Sequence, residues 1–317
     1  MQYVVLAVET NNLCKSFGKN TVLSNINLGV PAGTAFGYLG PNGAGKTTLI
    51  RLLLGLTSAN SGSMSILGLE VPKHRDRALA RVGAIVDDPR FFPHLSGRDN
   101  LKYIASARGR QSIKRIDNCL ARVGLNEKAK EPVKKYSLGM RGRLGIAACL
   151  LGDPELLILD EPMNGLDPAG MQELRAFIKG FVGEGRTVIL SSHLLDEVEK
   201  TCQYVAIVDS GKIIVQSSIA ELAQRGKIQI IVSTSQPDAV SSLVTQVQGV
   251  ESSSIVGETL VITPLDDVDS KLLASTLNKY IITSGYDIFG LSIQLQRLEE
   301  RFLEVTHPLG GKSGGSF

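Results

Sequence analysis

Eight residues, Gly40-Pro41-Asn42-Gly43-Ala44-Gly45-Lys46-Thr47, carry the first chemistry visible in the chain. They have the form G-x-x-x-x-G-K-[ST], the pattern of a loop that wraps phosphate oxygens. The glycines let backbone N–H groups converge on an anion, and a helix opening behind them adds about half a positive charge. Lys46 then reaches the β- and γ-phosphates of a nucleotide. The Thr47 hydroxyl serves Mg2+, and Thr48 reaches the α-phosphate side. A glycine-rich turn with no nucleotide is the alternative, and Lys46-Thr47 in register argues against it.

A second chemical group closes the apolar run Leu156-Leu157-Ile158-Leu159 with Asp160 and Glu161. A buried strand that delivers two acids to its carboxyl end puts them where ligands bind in open α/β sheets. Asp160 is placed to hold Mg2+, directly or through water. Glu161, one residue on, is placed to polarise the attacking water as general base. An isolated Asp-Glu pair would be a solvated strand end; behind a phosphate loop in the same chain it is not.

The elements that must position these groups follow from hydrophobic pattern. Short apolar runs at Ala35–Leu39, Val82–Val86, Leu156–Leu159, Val188–Ser191 and Val205–Val208 alternate with helical stretches, including Thr47–Leu56. That alternation predicts a buried parallel sheet. Residues 1–30 alternate in short strands around a turn at Gly18-Lys19-Asn20, which predicts an antiparallel layer. Residues 95–150 hold no convincing strand. A capped helix starts at Ser96, a second carries Ile113 to Val123 and stops at Gly124, and a third spans Leu138–Leu151. They form a helical insertion, about 90–150.

After Gly226 the order changes to strand 227–234, helix 237–247, strands 250–256 and 258–263, helix 266–281, strand 286–294 and helix 295–305. This βαββαβ order predicts a small α+β, ferredoxin-like domain over 227–306, with 307–317 a flexible tail. The fold class is therefore α/β: a P-loop domain over 1–225 with mixed sheet, antiparallel layer and helical insertion, then the small domain.

The bulk numbers bound the partners. The 317 residues suit two domains, and 43% apolar with 21% charged is ordinary for a globular chain. A net charge of +3 is too mild for a nucleic-acid partner. Cys14, Cys119, Cys149 and Cys202 lack CxxC spacing and are expected as buried, reduced thiols. No apolar run is long enough to span a bilayer, and Met1 to Leu13 lacks the form of a signal peptide. Any membrane spans must come from another chain.

The region between the two chemical groups decides the family. Tyr136-Ser137-Leu138-Gly139-Met140-Arg141-Gly142-Arg143-Leu144 resembles the LSGGQ signature loop of ATP-binding cassette (ABC) ATPases. Ser137 and Gly139 stand where the family needs them, while Leu138 and Met140 replace a Gly and a Gln. Asn164-Gly165-Leu166-Asp167 resembles the D-loop. His193, behind the run Val188–Ser191, resembles the switch histidine, whose role would be a hydrogen bond to the γ-phosphate. Phe17 matches the aromatic that stacks on adenine. Asp87 stands where the family usually has a Gln near Mg2+. Its shorter reach and added negative charge alter that contact.

The resemblance covers about residues 5–225. It implies a head-to-tail cassette dimer, most simply of two copies of this chain. Ser137 of one cassette would then face the ATP on Lys46 of the other. Phe91 to Leu95 either border the groove for a membrane subunit's coupling helix or fill the helical insertion. Leu298–Thr306 resembles the ending of bacterial drug, antibiotic and bacteriocin-immunity exporter cassettes. Together with Asp87 it favours an ATPase driving export through a separate multi-span permease, peripheral at the cytoplasmic face of the membrane. An importer cassette, a soluble ATPase acting on ribosome or DNA, and a non-hydrolysing scaffold are the alternatives.

Overall fold

Two strands, β1 (Leu6–Phe17) and β2 (Asn20–Pro31), form an antiparallel hairpin across the two-residue turn Gly18-Lys19. The computed structural model describes residues 5–224 and 227–295. Each strand runs 12 residues, longer than the short strands the sequence suggests. Register shifts, with left-handed Asn12 and Asn25 beside them, interrupt the two-residue period, so one long strand has the pattern of several short ones.

Next, β3 (Ala35–Leu39) leads into α1 (Lys46–Leu53), and β4 (Ser61–Ile66) and β5 (Leu69–Val71) complete an antiparallel layer ordered β2-β1-β4-β5. Neither β4 nor β5 was expected. Ser61, Gly62, Ser63 and Ser65 give β4 almost no apolar signal, and Met64 and Ile66 alone are buried in it.

After α2 (Arg75–Leu79) comes β6 (Val82–Ile85), and then the helical insertion: α3 (Gly97–Arg108), α4 (Arg110–Lys114), α5 (Ile116–Arg122) and α6 (Leu138–Leu150). The single helix expected through Ile113–Val123 is split at Arg115, where an N–H bonds three residues back to Ser112 O at 3.2 Å. Ser96 caps α3 as expected, its hydroxyl accepting from Asp99 N–H.

The remaining elements are β7 (Leu156–Leu159), α7 (Pro168–Gly183), β8 (Thr187–Ser192), α8 (Leu195–Thr201), β9 (Tyr204–Asp209), β10 (Lys212–Ser218) and α9 (Ile219–Gln224). They build a six-stranded sheet ordered β10-β9-β3-β8-β7-β6. Its last five strands are parallel, and β10 runs antiparallel at the edge. Every residue of β3, β7 and β8 is buried. Each such aliphatic side chain contributes about 1.5–3 kcal/mol. The expected parallel sheet is thus present; β10, nowhere fully buried, left too weak a pattern to be expected.

The chain divides between Ile219 and Ala220 into two compact units. The second holds β11 (Ile228–Ser233), α10 (Pro237–Val244), β12 (Val250–Val256), β13 (Thr259–Pro264), α11 (Ser270–Thr283) and β14 (Gly290–Leu295). Its sheet is antiparallel throughout, ordered β12-β13-β11-β14. Val232, Ile262, Val240 and Leu277 are among its fully buried core residues. α11 starts at Ser270 rather than 266, because the Asp269 carboxylate accepts from the N–H groups of Lys271 and Leu272. β14 likewise begins at Gly290 rather than 286. The expected helix 295–305 lies outside the described residues except for Leu295, which ends β14; the ending Leu298–Thr306 and the tail 307–317 lie wholly outside them. No helix among the described residues is long and apolar enough to cross a membrane.

Candidate functional site

The fully buried strand β3 fixes the base of the phosphate loop. Gly40 N–H donates to Ser192 O at 3.1 Å, tying the loop to the end of β8. A Cβ on Gly40 would lie 2.4 Å from Val208 O, so this close approach of backbones requires glycine. Gly45 caps α1 in a left-handed conformation, φ 97°, and a Cβ there would meet Leu23 Cδ2 at 2.6 Å. Such a turn lets the loop fold back over the first turn of α1.

α1 opens with no side-chain cap and no acid in its first turn. Helix starts normally satisfy their free N–H groups with such groups. Here the first-turn donors at Lys46, Thr47 and Thr48 face a loop of Gly40, Pro41, Asn42, Gly43 and Ala44, which adds no anion of its own. A nucleotide phosphate fits that cradle. Lys46, 6% exposed, donates its Nζ to Gly40 O at 2.8 Å and Pro41 O at 3.2 Å. It also pairs with Glu161 Oε1 at 3.1 Å.

The acids stand at the end of β7. Asp160 is buried; its N–H donates to Ile85 O at 2.9 Å, and its Oδ1 accepts from Ser191 Oγ at 2.5 Å. Glu161 has a left-handed backbone, φ 45°, and its N–H donates to Ser191 Oγ at 2.8 Å. Its second carboxylate oxygen, Oε2, lies 3.0 Å from His193 Nδ1. Glu161 therefore bridges Lys46 and His193, three groups drawn from the ends of β3, β7 and β8. An oxygen donor set at Asp160 and Thr47 suits a hard cation such as Mg2+.

A cleft of about 690 Å3 opens beside these groups. Thr47, Asp87, Asp160 and Glu161 line one part of it, and Ser137, Gly139 and Asp167 another. Ser137 caps α6, its Oγ accepting from Met140 N–H at 3.2 Å. Asp167 caps α7, accepting from Gly170 N–H at 2.9 Å. Leu138, which replaces a glycine of the signature pattern, packs so closely on Gly165 that a Cβ there would lie 2.4 Å from Leu138 Cδ2.

Asp87 lines the cleft, but its carboxylate is engaged by Arg51 of α1 at 2.9 Å. β6 ends at Ile85, and the left-handed turn at Asp87, φ 58°, carries the side chain toward α1. Phe17 ends β1 with its ring 54% exposed and the Lys15 ammonium 4.7 Å from its centroid. Phe92 packs edge-on against Tyr103 at 5.1 Å, both largely exposed, while its backbone bonds Asn100. Sequence pattern singled out neither Ser191 nor Arg51. For Ser191 a signal exists: two hydroxyl residues, Ser191-Ser192, close an otherwise apolar strand.

This phosphate cradle on a parallel sheet, with acids and histidine at neighbouring strand ends, defines a P-loop ATPase of the ABC cassette type. A family model described as ABC transporter matches residues 23–164. The lantibiotic transport ATP-binding protein SrtF of Streptococcus pyogenes is 45% identical over 66% of this chain and 90% of its own. The bacitracin transport ATP-binding protein BcrA of Bacillus licheniformis is 36% identical over 97% of this chain and 99% of its own. Among solved structures, cbiO1 from Clostridium perfringens, part of the ABC transporter complex cbiONQ, has TM-score 0.64 at 25% identity, covering 76% of this chain and 96% of that one. The chain belongs to the ATP-binding subunits of ABC transporters. It is an ATPase and binds ATP.

Proposed function

We propose that this chain powers export of a drug or peptide antibiotic through a separate multi-span permease, as a homodimer seated peripherally at the cytoplasmic face. What supports the cargo class is likeness to the bacitracin and lantibiotic transport proteins. The observation that carries the catalytic reading is Glu161 held between Lys46 and His193.

In this reading the N–H groups from Gly40 to Thr48 and the Lys46 ammonium bind the phosphates, and Phe17 stacks on adenine. Thr47 and Asp160 would hold Mg2+, which would supply positive charge against the nucleotide phosphates. Asp87, if released from Arg51, would be available to that group. Glu161 gives up Lys46 to the γ-phosphate and takes a proton from the attacking water. His193 exchanges Glu161 for the γ-phosphate and so reports its presence. Ser137 and Gly139 of the second cassette bring the start of α6 to that phosphate, Asp167 approaches from the same interface, and hydrolysis lets the pair separate.

The test is a pull-down of tagged Glu161→Gln from detergent-solubilised cells with Mg·ATP, read by mass spectrometry. A co-purifying multi-span membrane protein is the expected result. Ribosomal proteins with no membrane protein would overturn the exporter reading.

A further inference from the structure

We propose that Ser191 is a positioning residue for hydrolysis, fixing both acids through one hydroxyl. The inference rests on the roles given above to Asp160 and Glu161. Ser191 is 0% exposed, near the carboxyl end of β8. A serine hydroxyl has a single proton to give, and lone pairs to accept. Here the proton goes to Asp160 Oδ1 at 2.5 Å, and the oxygen accepts Glu161 N–H at 2.8 Å. Each bond fixes the direction of the other.

Two consequences follow. Asp160 has Oδ1 engaged by the hydroxyl, which would leave Oδ2 the freer oxygen for a metal. Glu161, meanwhile, is held in a left-handed backbone, φ 45°, that a non-glycine residue adopts only when its surroundings enforce it. The bond to Ser191 is one such enforcement, and it aims the Glu161 carboxylate at Lys46 and His193. The neighbours extend the pattern. Ser192 O accepts Gly40 N–H from the phosphate loop, and His193 follows directly. Three successive residues of one chain segment thus contact the phosphate loop and both acids, with Glu161 shared by Ser191 and His193. Val188, Ile189 and Leu190 precede them and are all buried, so an apolar residue at 191 would match the strand. It would leave the Asp160 carboxylate and the Glu161 N–H each one partner short.

The experiment compares full-length wild type with Ser191→Ala by steady-state ATPase kinetics. It also measures Mn2+ affinity of the ADP complex by electron paramagnetic resonance, and ATP affinity in EDTA. The expected result is kcat lower by about 10- to 100-fold and Mn2+ affinity weaker by about tenfold, the range for a residue that orients a metal ligand. KM and metal-free ATP affinity stay unchanged, since the phosphate loop is intact. Wild-type kcat and Mn2+ affinity in the variant would overturn the proposal. So would loss of metal-free ATP binding in step with activity, which would make the hydroxyl a support of the fold alone. Equal turnover by wild type and Glu161→Gln would instead defeat the underlying assignment of Glu161.

Discussion

The six-stranded sheet of the cassette and the four-stranded sheet of the C-terminal unit both carry buried apolar residues, but their strand ends differ. In the cassette β3, β6, β7 and β8 run parallel, so their carboxyl ends emerge together. The phosphate loop, Asp87, Asp160-Glu161 and His193 each follow one of those ends. In the C-terminal unit every neighbour is antiparallel, so carboxyl ends alternate between opposite edges. Among the described residues, every non-glycine residue with positive φ lies in the cassette, Asp87 and Glu161 included. Of these, Asp87 and Glu161 follow parallel strand ends and line the cleft.

Breaking the phosphate cradle should have the largest effect. Lys46→Ala removes the cation that Gly40, Pro41 and Glu161 hold, and ATP binding followed by fluorescent-nucleotide titration should be lost with turnover. Glu161→Gln keeps the shape but removes the base. Turnover should fall by about 10²–10⁴-fold while ATP binding persists, measured by phosphate release and titration. A variant with wild-type turnover would place the base elsewhere.

Packing is the corresponding test in the other unit. Leu277→Ala cuts a fully buried side chain from its core and should cost about 2–5 kcal/mol in a urea transition, with cassette turnover retained. Loss of turnover with it would tie the two units together more closely than their sheets suggest.

The thiols sharpen the contrast, because all four lie in the cassette. Burial pushes the Cys149 thiol up to about 12 and also raises Cys202, so both should resist iodoacetamide at pH 8 under native conditions, with half-buried Cys14 modified first. Peptide mapping reads the order. Since the folded state holds these protons where the unfolded state releases them, cassette stability should fall as pH rises above about 9. For Cys149 the loss should level off near pH 12.

The smallest effect is expected at Arg51. Its pair with Asp87 is exposed on both sides, so Arg51→Ala should change stability by less than about 1 kcal/mol. A larger loss in a thermal melt would mean that the turn at Asp87 depends on the pair.

The sequence by itself determined the parallel sheet, the helical insertion, the order of the second unit and the residues that can do chemistry. These features depend on local pattern: apolar runs of strand length, glycine and lysine at fixed spacing, a serine before a helix. It did not reveal β4 or β10, because β4 buries only Met64 and Ile66 and the edge strand β10 buries no residue fully, so neither shows an apolar pattern. Helix starts were missed where a side chain 3 residues away decided them, as Asp269 does for α11. Only the tertiary structure decided that Asp87 pairs with Arg51, 36 residues earlier. Likewise, Glu161 pairs with Lys46 and His193, and Ser191 joins both acids, across strands far apart in the chain. Spacing along a chain can specify which residue ends a strand. Which strands lie side by side, and so which ends meet, is fixed only when the sheet forms.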